Sequence, residues 1–255
     1  MRSGWHSKPW KHPLTRDPRV RKHRVHIQEY FKRRLRVLRK REDLLGGVDI
    51  ADQPLETANP IVEPIPIGSS HDTKLWNLII RTFHPMPFMG GVGRYIRFYI
   101  KNSDDGQILG CLSLGSAVLT CAARDNWIGW NRQQRIRNLG KLANNRRFLI
   151  LPNVRIPNLA SRILSLLCKD GPREWQSRYG GPLVLIETFV ESKHPGSCYK
   201  AANWILLGET KGFMHVVSEI GQTTGKKVSV YLYTGDKKRI FVKPLRRSWK
   251  KELIA

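Results

Sequence analysis

Between residues 75 and 242 the sequence alternates strand-like and helix-like segments. Residues 94–100 and 108–119 are rich in apolar, aromatic and β-branched residues, and a polar turn signal separates them, so they predict a hairpin. Apolar runs at residues 148–151 and 183–190 predict two buried strands with a helix between them. This alternation predicts an α/β fold built on a mixed sheet.

The strand that ends near Leu151 leads through a loop into a helix that runs through Cys168. The first turn of a helix exposes unpaired amide groups and the positive end of the helix dipole, and both attract anions. The loop also carries Arg155, which adds positive charge. The sequence therefore predicts an anion site between this strand and this helix.

The 255 residues carry a formal net charge of +25, which is unevenly distributed. Residues 1–41 hold 15 basic and 2 acidic residues, whereas residues 42–123 hold 5 and 9. Residues 124–225 hold 15 basic and 7 acidic residues, and residues 226–255 hold 10 basic and 2 acidic residues. A chain with this excess is expected to bind a polyanion, and nucleic acid, with DNA as the first candidate, is the commonest one.

Composition divides the chain into four parts. Residues 1–45 predict a basic arm that ends in an amphipathic helix. Residues 46–72 predict a proline-rich linker or an extended segment that lies against the following domain. The α/β domain follows over residues 73–245, and residues 246–255 form a basic tail.

The predicted arm helix has two faces. Apolar residues recur at spacings of three and four, at Ile27, Tyr30, Phe31, Leu35 and Leu38. The remaining surface holds the residues expected to contact phosphates, which are Arg33, Arg34, Arg36, Arg39 and Lys40. The alternatives are a solvated amphipathic helix and an arm that folds only with a partner.

In the α/β domain, Arg124, Arg146 and Arg147 are the further candidates for nucleic-acid contacts. Arg124 precedes Trp127 and Trp130, so a phosphate clamp next to a stacking surface is one interpretation. The other is that Asp125 pairs with backbone amides at a helix N-terminus and that the tryptophans belong to the core.

Residues 155–160 resemble the pyrophosphate loop of the GNAT acyltransferases, which runs Gln or Arg, two residues, Gly, one residue, then Gly or Ala. The resemblance implies a GNAT-like α/β fold with a mixed, mostly antiparallel sheet flanked by helices. It also implies that the loop would hold an acyl-CoA or similar cofactor. The cofactor-binding positions it implies are Arg155, Asn158, Ala160 and Ser161. Asn158 stands where the family has its middle glycine, and Pro157 precedes it, so the cofactor is left open.

The same resemblance implies roles for two residues of the second half of the domain. Glu187 ends a buried strand at a position that faces the substrate cleft in GNAT folds, so it is a candidate general base. Tyr199 lies where such enzymes often place a general acid. The structural alternatives are an ion pair of Glu187 with Arg124 or Arg155 and a core position for Tyr199. Cys198 is expected to be structural rather than nucleophilic.

Several sequence blocks occur in an order that resembles the DruA family of Druantia anti-phage systems, namely residues 110–117, 124–130, 144–152, 159–161, 187–190 and 196–204. The resemblance covers roughly residues 75–245. DruA proteins also occur attached to transposases, so the resemblance implies phage-defence or mobile-DNA biology with other system proteins as partners. It implies no particular reaction.

A shorter segment, residues 157–162, is similar to phage Mom DNA-modification proteins, and this similarity points to DNA as the substrate class. Three functions therefore stay open. The first is a DNA-binding GNAT-like protein that acts on a base. The second is a non-catalytic module that recruits DNA, and the third is a conventional acyl-CoA-dependent acyltransferase.

Other features narrow the class of protein. No cysteine pair, histidine cluster or carboxylate cluster has metal-ligand spacing, so no metal site is expected. No apolar window is long enough to span a membrane, and no secretory signal is predicted. The scattered cysteines favour a reduced, cytoplasmic setting.

Overall fold

The computed structural model describes residues 33–38, 40–41, 44, 49–50, 55–85, 93–219, 227–233 and 235–255. The chain forms two compact units. Unit 1 comprises residues 1–116 and 145–181, and unit 2 comprises residues 117–144 and 182–255. One strand, β4 (Leu142–Ile150), contributes its first three residues to unit 2 and the others to unit 1.

Three antiparallel strands form part of unit 1. Strand β1 (Pro60–Pro64) pairs with β2 (Tyr95–Asn102), which pairs with β3 (Ile108–Ser116). Helix α1 (Ser70–Phe83) follows β1, and its buried side chains Leu75, Trp76, Ile79, Ile80 and Phe83 recur at helical spacing. The hairpin predicted from residues 94–119 is therefore confirmed.

Helix α1 begins earlier than its apolar periodicity indicates. The Ser69 hydroxyl accepts a hydrogen bond from the backbone N–H of Asp72, which caps the first turn.

Strand β3 requires a glycine at position 110. A Cβ atom at Gly110 would lie 2.1 Å from the carbonyl oxygen of Leu149.

Unit 2 contains strands that follow a different order. The first residues of β4 pair in parallel with β5 (Leu185–Glu191), and β5 pairs antiparallel with β9 (Lys238–Pro244). Strand β6 (Ile205–Glu209) pairs with the other edge of β9. Strands β7 (Phe213–Glu219) and β8 (Lys227–Tyr233) form a separate two-stranded sheet.

The helices of unit 2 are short. They are α2 (Ala122–Ile128), α3 (Arg132–Asn138), α5 (Ser197–Ala201) and α6 (Trp249–Ile254). Helix α4 (Leu159–Tyr179), with 21 residues, belongs to unit 1 and follows β4. The predicted class, a mixed and mostly antiparallel sheet with helices, is confirmed.

Residues 60–64, in the segment predicted to be a linker or to lie extended against the domain, form β1, because Val62 and the neighbouring Ile65 are buried. Two other segments differ from the sequence-based expectations. The predicted C-terminal tail contains α6, which is fixed by the buried side chain of Leu253. The β-branched and aromatic residues of 228–233 and 239–242 predict that these two runs form a last hairpin. This prediction is wrong, because β8 pairs with β7 and β9 pairs with β5 and β6. Among the described residues, no helix is long and apolar enough to cross a membrane.

Candidate nucleic-acid interface

The described part of the predicted arm helix covers residues 33–38. Leu35 and Leu38 are buried, with 4% and 0% of their surface exposed. The predicted phosphate contacts of this segment lie on the exposed side of the chain, at Arg33, Arg34, Arg36 and Lys40. The two-faced arrangement is thus confirmed for these residues, whereas Ile27, Tyr30, Phe31 and Arg39 lie outside the described residues.

A second group of cations lies on unit 1, where it surrounds two tyrosines. We call it the arginine–tyrosine cluster, and its members are Arg94, Tyr95, Arg97, Arg146, Arg147 and Tyr179. The guanidinium carbons of Arg97 and Arg146 lie 4.9 Å and 5.8 Å from the ring centre of Tyr95. That of Arg94 lies 5.1 Å from the ring centre of Tyr179. These distances are within the range of cation–π attraction.

The strand geometry places the first members of this cluster together. Tyr95 and Arg97 are two residues apart on β2, so their side chains project from the same face. Across the ladder they pair with Gly115 and Ser113 of β3, and the Tyr95 hydroxyl donates to Ser113 Oγ at 2.9 Å. The backbone N–H of Tyr95 donates to the Tyr179 hydroxyl at 2.8 Å, which ties the end of α4 to β2.

Arg146 reaches Tyr95 because Gly115 has no side chain. A Cβ atom at Gly115 would lie 2.3 Å from Arg146 Cδ and 3.3 Å from Tyr95 Cδ2. The aliphatic part of Arg146 therefore occupies the space above this glycine, and its charged end is brought to the tyrosine ring. Gly115 therefore allows the Arg146 side chain and the Tyr95 ring to approach each other closely.

The cluster brings like charges together in a half-buried setting. Burial lowers the pKa of Arg147, and the nearby Arg146 lowers it further. Burial also lowers the pKa of Arg97 and raises that of Tyr95, although the positive charges of Arg147, Arg97 and Arg146 act in the opposite direction on Tyr95. An anion bound here would relieve the repulsion among these arginines.

The predicted anion loop lies between β4 and α4. Asn158 takes the left-handed backbone conformation, with φ of 59°, which is the conformation that a glycine at this position would favour. Arg155 and Asn158 are exposed, and the Ser161 hydroxyl donates to the Asn158 carbonyl oxygen at 2.9 Å. Among the described residues, no hydrogen bond is found for the amides of Ala160 and Ser161. Asn158 therefore adopts a left-handed turn that glycine could also adopt.

Unit 2 holds a buried ion-pair network. Glu187 is fully buried, and its two carboxylate oxygens accept from Arg124 Nη1 and from the backbone N–H of Val118, each at 2.8 Å. Arg124 also donates to Asp125 Oδ1 at 2.9 Å. Asp125 in turn accepts from Trp130 Nε1 at 2.9 Å and from Arg135 Nη1 at 3.2 Å.

This network corrects one predicted contact. Arg124 has no exposed surface, because its guanidinium is enclosed between Glu187, Asp125 and the carbonyl of Val118. A phosphate cannot reach it in this structure, so we remove Arg124 from the nucleic-acid contacts. Burial raises the pKa of Glu187 even though Arg124 acts to lower it. Catalysis by Glu187 stays a prediction, and the contacts found here are those of the ion-pair alternative.

Tyr199 and Cys198 lie in α5, at the edge of the core of unit 2. The ring of Tyr199 stacks on Phe241 with centres 5.5 Å apart and meets Trp204 edge to face. Burial raises the pKa of Tyr199 well above its usual range. Burial also raises the pKa of Cys198 to about 11. A catalytic role for Tyr199 stays a prediction, and the thiol of Cys198 is protonated at neutral pH.

Sequence reasoning found Arg146 and Arg147 but missed the other members of the cluster. Residues 94–100 were interpreted as a strand, and the alternation of Tyr95 and Arg97 on one face was the signal available in the sequence. Tyr179 could not be found in this way, because it comes from the end of a helix distant in sequence. Among the described residues, no group of three or more His, Cys, Asp or Glu side chains could hold a metal.

Together these elements define an α/β protein with a basic helical segment and a half-buried cluster of arginines and tyrosines. A family model described as Druantia protein DruA matches residues 21–226. Because this match covers most of the chain, the protein belongs to the DruA family.

A curated relative, the Druantia protein DruA of Escherichia coli, is 30% identical over 84 residues. The aligned part is 33% of this chain and 20% of the relative, so the match spans about a fifth of that protein's length.

Solved structures with some similarity are acetyltransferases. One is a ribosomal-protein alanine N-acetyltransferase from Escherichia coli, with a TM-score of 0.42 and 10% identity over 73% of this chain and 94% of that chain. Another is a variant spermidine N-acetyltransferase from Vibrio cholerae, with a TM-score of 0.37 and 12% identity over 74% of this chain and 95% of that chain. At these scores the similarity carries no conclusion about activity.

Proposed function

We propose that this protein binds nucleic acid, with DNA as its target, as part of a Druantia anti-phage system. The observation that carries the proposal is the segment over residues 33–40. Leu35 and Leu38 anchor it by burial, while Arg33, Arg34, Arg36 and Lys40 are exposed to solvent. An anchored segment holds its cations in fixed positions, which lowers the entropic cost of engaging several phosphates at once.

The charge of the whole chain supports the same function. A net charge of +25 exceeds what solubility requires and attracts a polyanion over several ångströms. Arginine is suited to this target because its planar guanidinium donates to two phosphate oxygens together. Such contacts position a protein on nucleic acid without selecting a sequence.

The geometry of the site favours a protein that binds DNA without modifying a nucleobase. The candidate base Glu187 has no exposed surface, and both of its oxygens are occupied by donors of the protein. Tyr199 packs between aromatic rings of the core. In this version the protein delivers DNA to other proteins of the defence system.

The direct test is an equilibrium binding measurement. The full chain is titrated against a fluorescent duplex of random sequence at low salt, and the anisotropy of the duplex is followed. We expect Arg33→Gln, Arg34→Gln and Arg36→Gln together to weaken binding at least about tenfold. A matched triple variant at exposed cations elsewhere in unit 1, Arg81→Gln, Lys169→Gln and Arg173→Gln, controls for total charge. Absence of wild-type binding, or equal losses in both triple variants, refutes the proposal.

The loop at the start of α4 favours a second candidate function, the transfer of an acyl group from a pyrophosphate-containing cofactor. The residues fit such a group, since Asn158 supplies the left-handed turn and the amides of Ala160 and Ser161 face no described acceptor. Arg155 is exposed at the same loop. An acyl-CoA held there would supply an activated thioester.

This second candidate is tested by binding rather than by turnover. Coenzyme A is titrated into the full chain in a calorimeter. Arg155→Gln is expected to weaken a genuine complex about tenfold, whereas Asn158→Gly should leave it intact because glycine accepts the same backbone angles. If the wild-type protein shows no heat of binding, the acyl-transfer function is excluded and the DNA-binding proposal is unaffected.

A further inference from the structure

A pocket with a volume of about 280 Å³ opens in unit 1 beside the arginine–tyrosine cluster. Its walls come from the segment after β1, from α1, from the start of β2 and from the end of α4. The residues that matter for its chemistry are Ile67, Thr73, Tyr95, Arg97, Arg178 and Tyr179. All of them belong to the same compact unit.

The pocket is distinct from the predicted cofactor loop. Tyr179 is the last residue of α4, whereas the loop precedes its first residue, and the helix has 21 residues. At 1.5 Å per residue the two ends are about 30 Å apart. A cofactor held at the loop by its pyrophosphate therefore leaves this pocket to a different ligand.

Its size limits the occupant to one small unit. Ligand pockets usually have volumes of about 300–1,000 Å³, and the volume of this pocket, about 280 Å³, is slightly below that range. A dinucleotide or a whole coenzyme would not fit inside it. A single ring system with one attached anionic group is of the appropriate size.

The polar groups of the pocket are held in place before any ligand arrives. Arg178 donates to the carbonyl oxygen of Ile65 at 2.5 Å and pairs with Glu174 one helical turn earlier. Arg97 Nε donates to Asn77 Oδ1 at 3.3 Å, and its guanidinium carbon lies 5.5 Å from the ring centre of Trp76. Side chains that are fixed in advance lose little conformational freedom when they bind.

The combination of rings and cations indicates the chemical class of the ligand. Tyr95 and Tyr179 offer aromatic surface, and Arg97 offers a planar cation that matches phosphate oxygens. Three further arginines of the cluster, Arg94, Arg146 and Arg147, add positive potential next to the pocket. A purely apolar ligand would leave these cations without a counter-charge from the ligand, and free phosphate would make no use of the tyrosines.

We infer that this pocket binds a single nucleotide unit, with its base against the tyrosines and its phosphate at Arg97. The inference rests on the proposed nucleic-acid function and makes it more specific. The nucleotide can come from a single strand, as one unstacked residue, or from a free mononucleotide. The chemistry of recognition is the same for both sources, and the probes below separate them.

The experiment uses the full chain and three probes: thymidine 5′-monophosphate, a ten-residue oligothymidylate and inorganic phosphate. The principal variant is Arg97→Gln. Lys101→Gln is its matched control, because Lys101 lies on the same strand and pairs with Glu63 outside the pocket. A second pair of variants, Ile67→Glu and Ile67→Lys, changes only the charge at the rim, where Ile67 is 78% exposed and its replacement does not disturb the core.

We expect Arg97→Gln and Ile67→Glu to weaken binding of the monophosphate about tenfold. The affinity of Lys101→Gln and of Ile67→Lys for the monophosphate should stay within about twofold of the wild-type value or be higher. Oligothymidylate that binds much more tightly than the monophosphate identifies a strand as the source. Equal affinities identify a free nucleotide. Either result supports the inference when the variants behave as stated.

Three outcomes overturn the inference. In the first, the wild-type protein binds inorganic phosphate as tightly as the monophosphate. In the second, the Ile67→Glu and Ile67→Lys variants bind the monophosphate equally well, and in the third, the wild-type protein binds neither nucleotide probe. Duplex binding through residues 33–40 is measured in parallel. If duplex binding persists with wild-type affinity in Ile67→Glu while the pocket fails these tests, the inference fails and the proposed function stands.

Discussion

Arg124 donates a hydrogen bond to Glu187 at a distance of 2.8 Å, and neither side chain has any exposed surface. Taking two charges out of water is costly, and their attraction compensates only while both partners are present. The carboxylate of Glu187 also receives the backbone N–H of Val118, so the pair fixes the chain just before α2. This relationship gives Glu187 a structural role that is open to measurement.

Glu187→Ala should lower the free energy of unfolding by about 3–5 kcal/mol, because it leaves the buried guanidinium of Arg124 with Asp125 as its one remaining carboxylate. Urea denaturation followed by circular dichroism measures the change. Glu63→Ala is the comparison, because the Glu63–Lys101 pair is partly exposed and its loss should cost less than about 1 kcal/mol. Similar small losses in both variants would contradict the structural role of Glu187.

Gly196 is required by both its backbone and its surroundings. Its φ is +65°, and a Cβ atom would lie 2.5 Å from the ring of Phe241. Gly129 has a similar φ of +81°, but no heavy atom lies within 4 Å of a Cβ built there. We expect Gly129→Ala to cost about 1 kcal/mol from backbone strain, and Gly196→Ala to cost at least about 1 kcal/mol more from the clash. Thermal unfolding of both variants tests the difference, and equal losses would show that Phe241 simply moves aside.

Gly115→Ala should weaken binding of single-stranded oligonucleotides several-fold, because the new methyl group displaces Arg146 from the arginine–tyrosine cluster. Gly181→Ala is the control, since a Cβ there meets no heavy atom within 4 Å and its backbone is not left-handed. Fluorescence titration measures the affinities. In a double-mutant cycle, Arg146→Gln should add little to Gly115→Ala. Additive losses would mean that Arg146 keeps its position when the methyl group is present.

Cys198 should react slowly with iodoacetamide. Its pKa is raised to about 11 by burial, so only about one molecule in a thousand carries the thiolate at pH 8. Intact-mass spectrometry of the native protein should show little modification at this site, whereas the urea-unfolded protein should be modified quickly. Rapid labelling of Cys198 in the native protein would contradict this expectation and support a nucleophilic role for Cys198.

The fold was predictable where the pattern is local. The hairpin of β2 and β3 followed from alternation and a polar turn, and the strand–loop–helix at Asn158 followed from one apolar run and a helical period. The pairing of β9 with β5 and β6 was not predictable, because strands distant in sequence pair through long-range packing that no local window contains.

The site was predictable to a smaller extent. The density of basic residues predicted the exposed arginines of residues 33–40, since basic residues can be counted in a sequence without knowing the fold. The same reasoning misplaced Arg124, because a sequence does not show whether an arginine near a buried strand faces solvent or a carboxylate. Tyr179 and Gly115 acquire their roles only through contacts between elements that are far apart in the chain.

The central claim is that exposed arginines of the anchored segment neutralise phosphates, and the salt dependence of duplex binding tests it most directly. Each neutralised phosphate contributes about 0.9 to the slope of log K against log salt concentration. Replacing Arg33, Arg34 and Arg36 with Gln should therefore reduce that slope by nearly 3, while the control triple variant at Arg81, Lys169 and Arg173 should keep the wild-type slope. Identical slopes in the wild type and the arm variant would contradict the account.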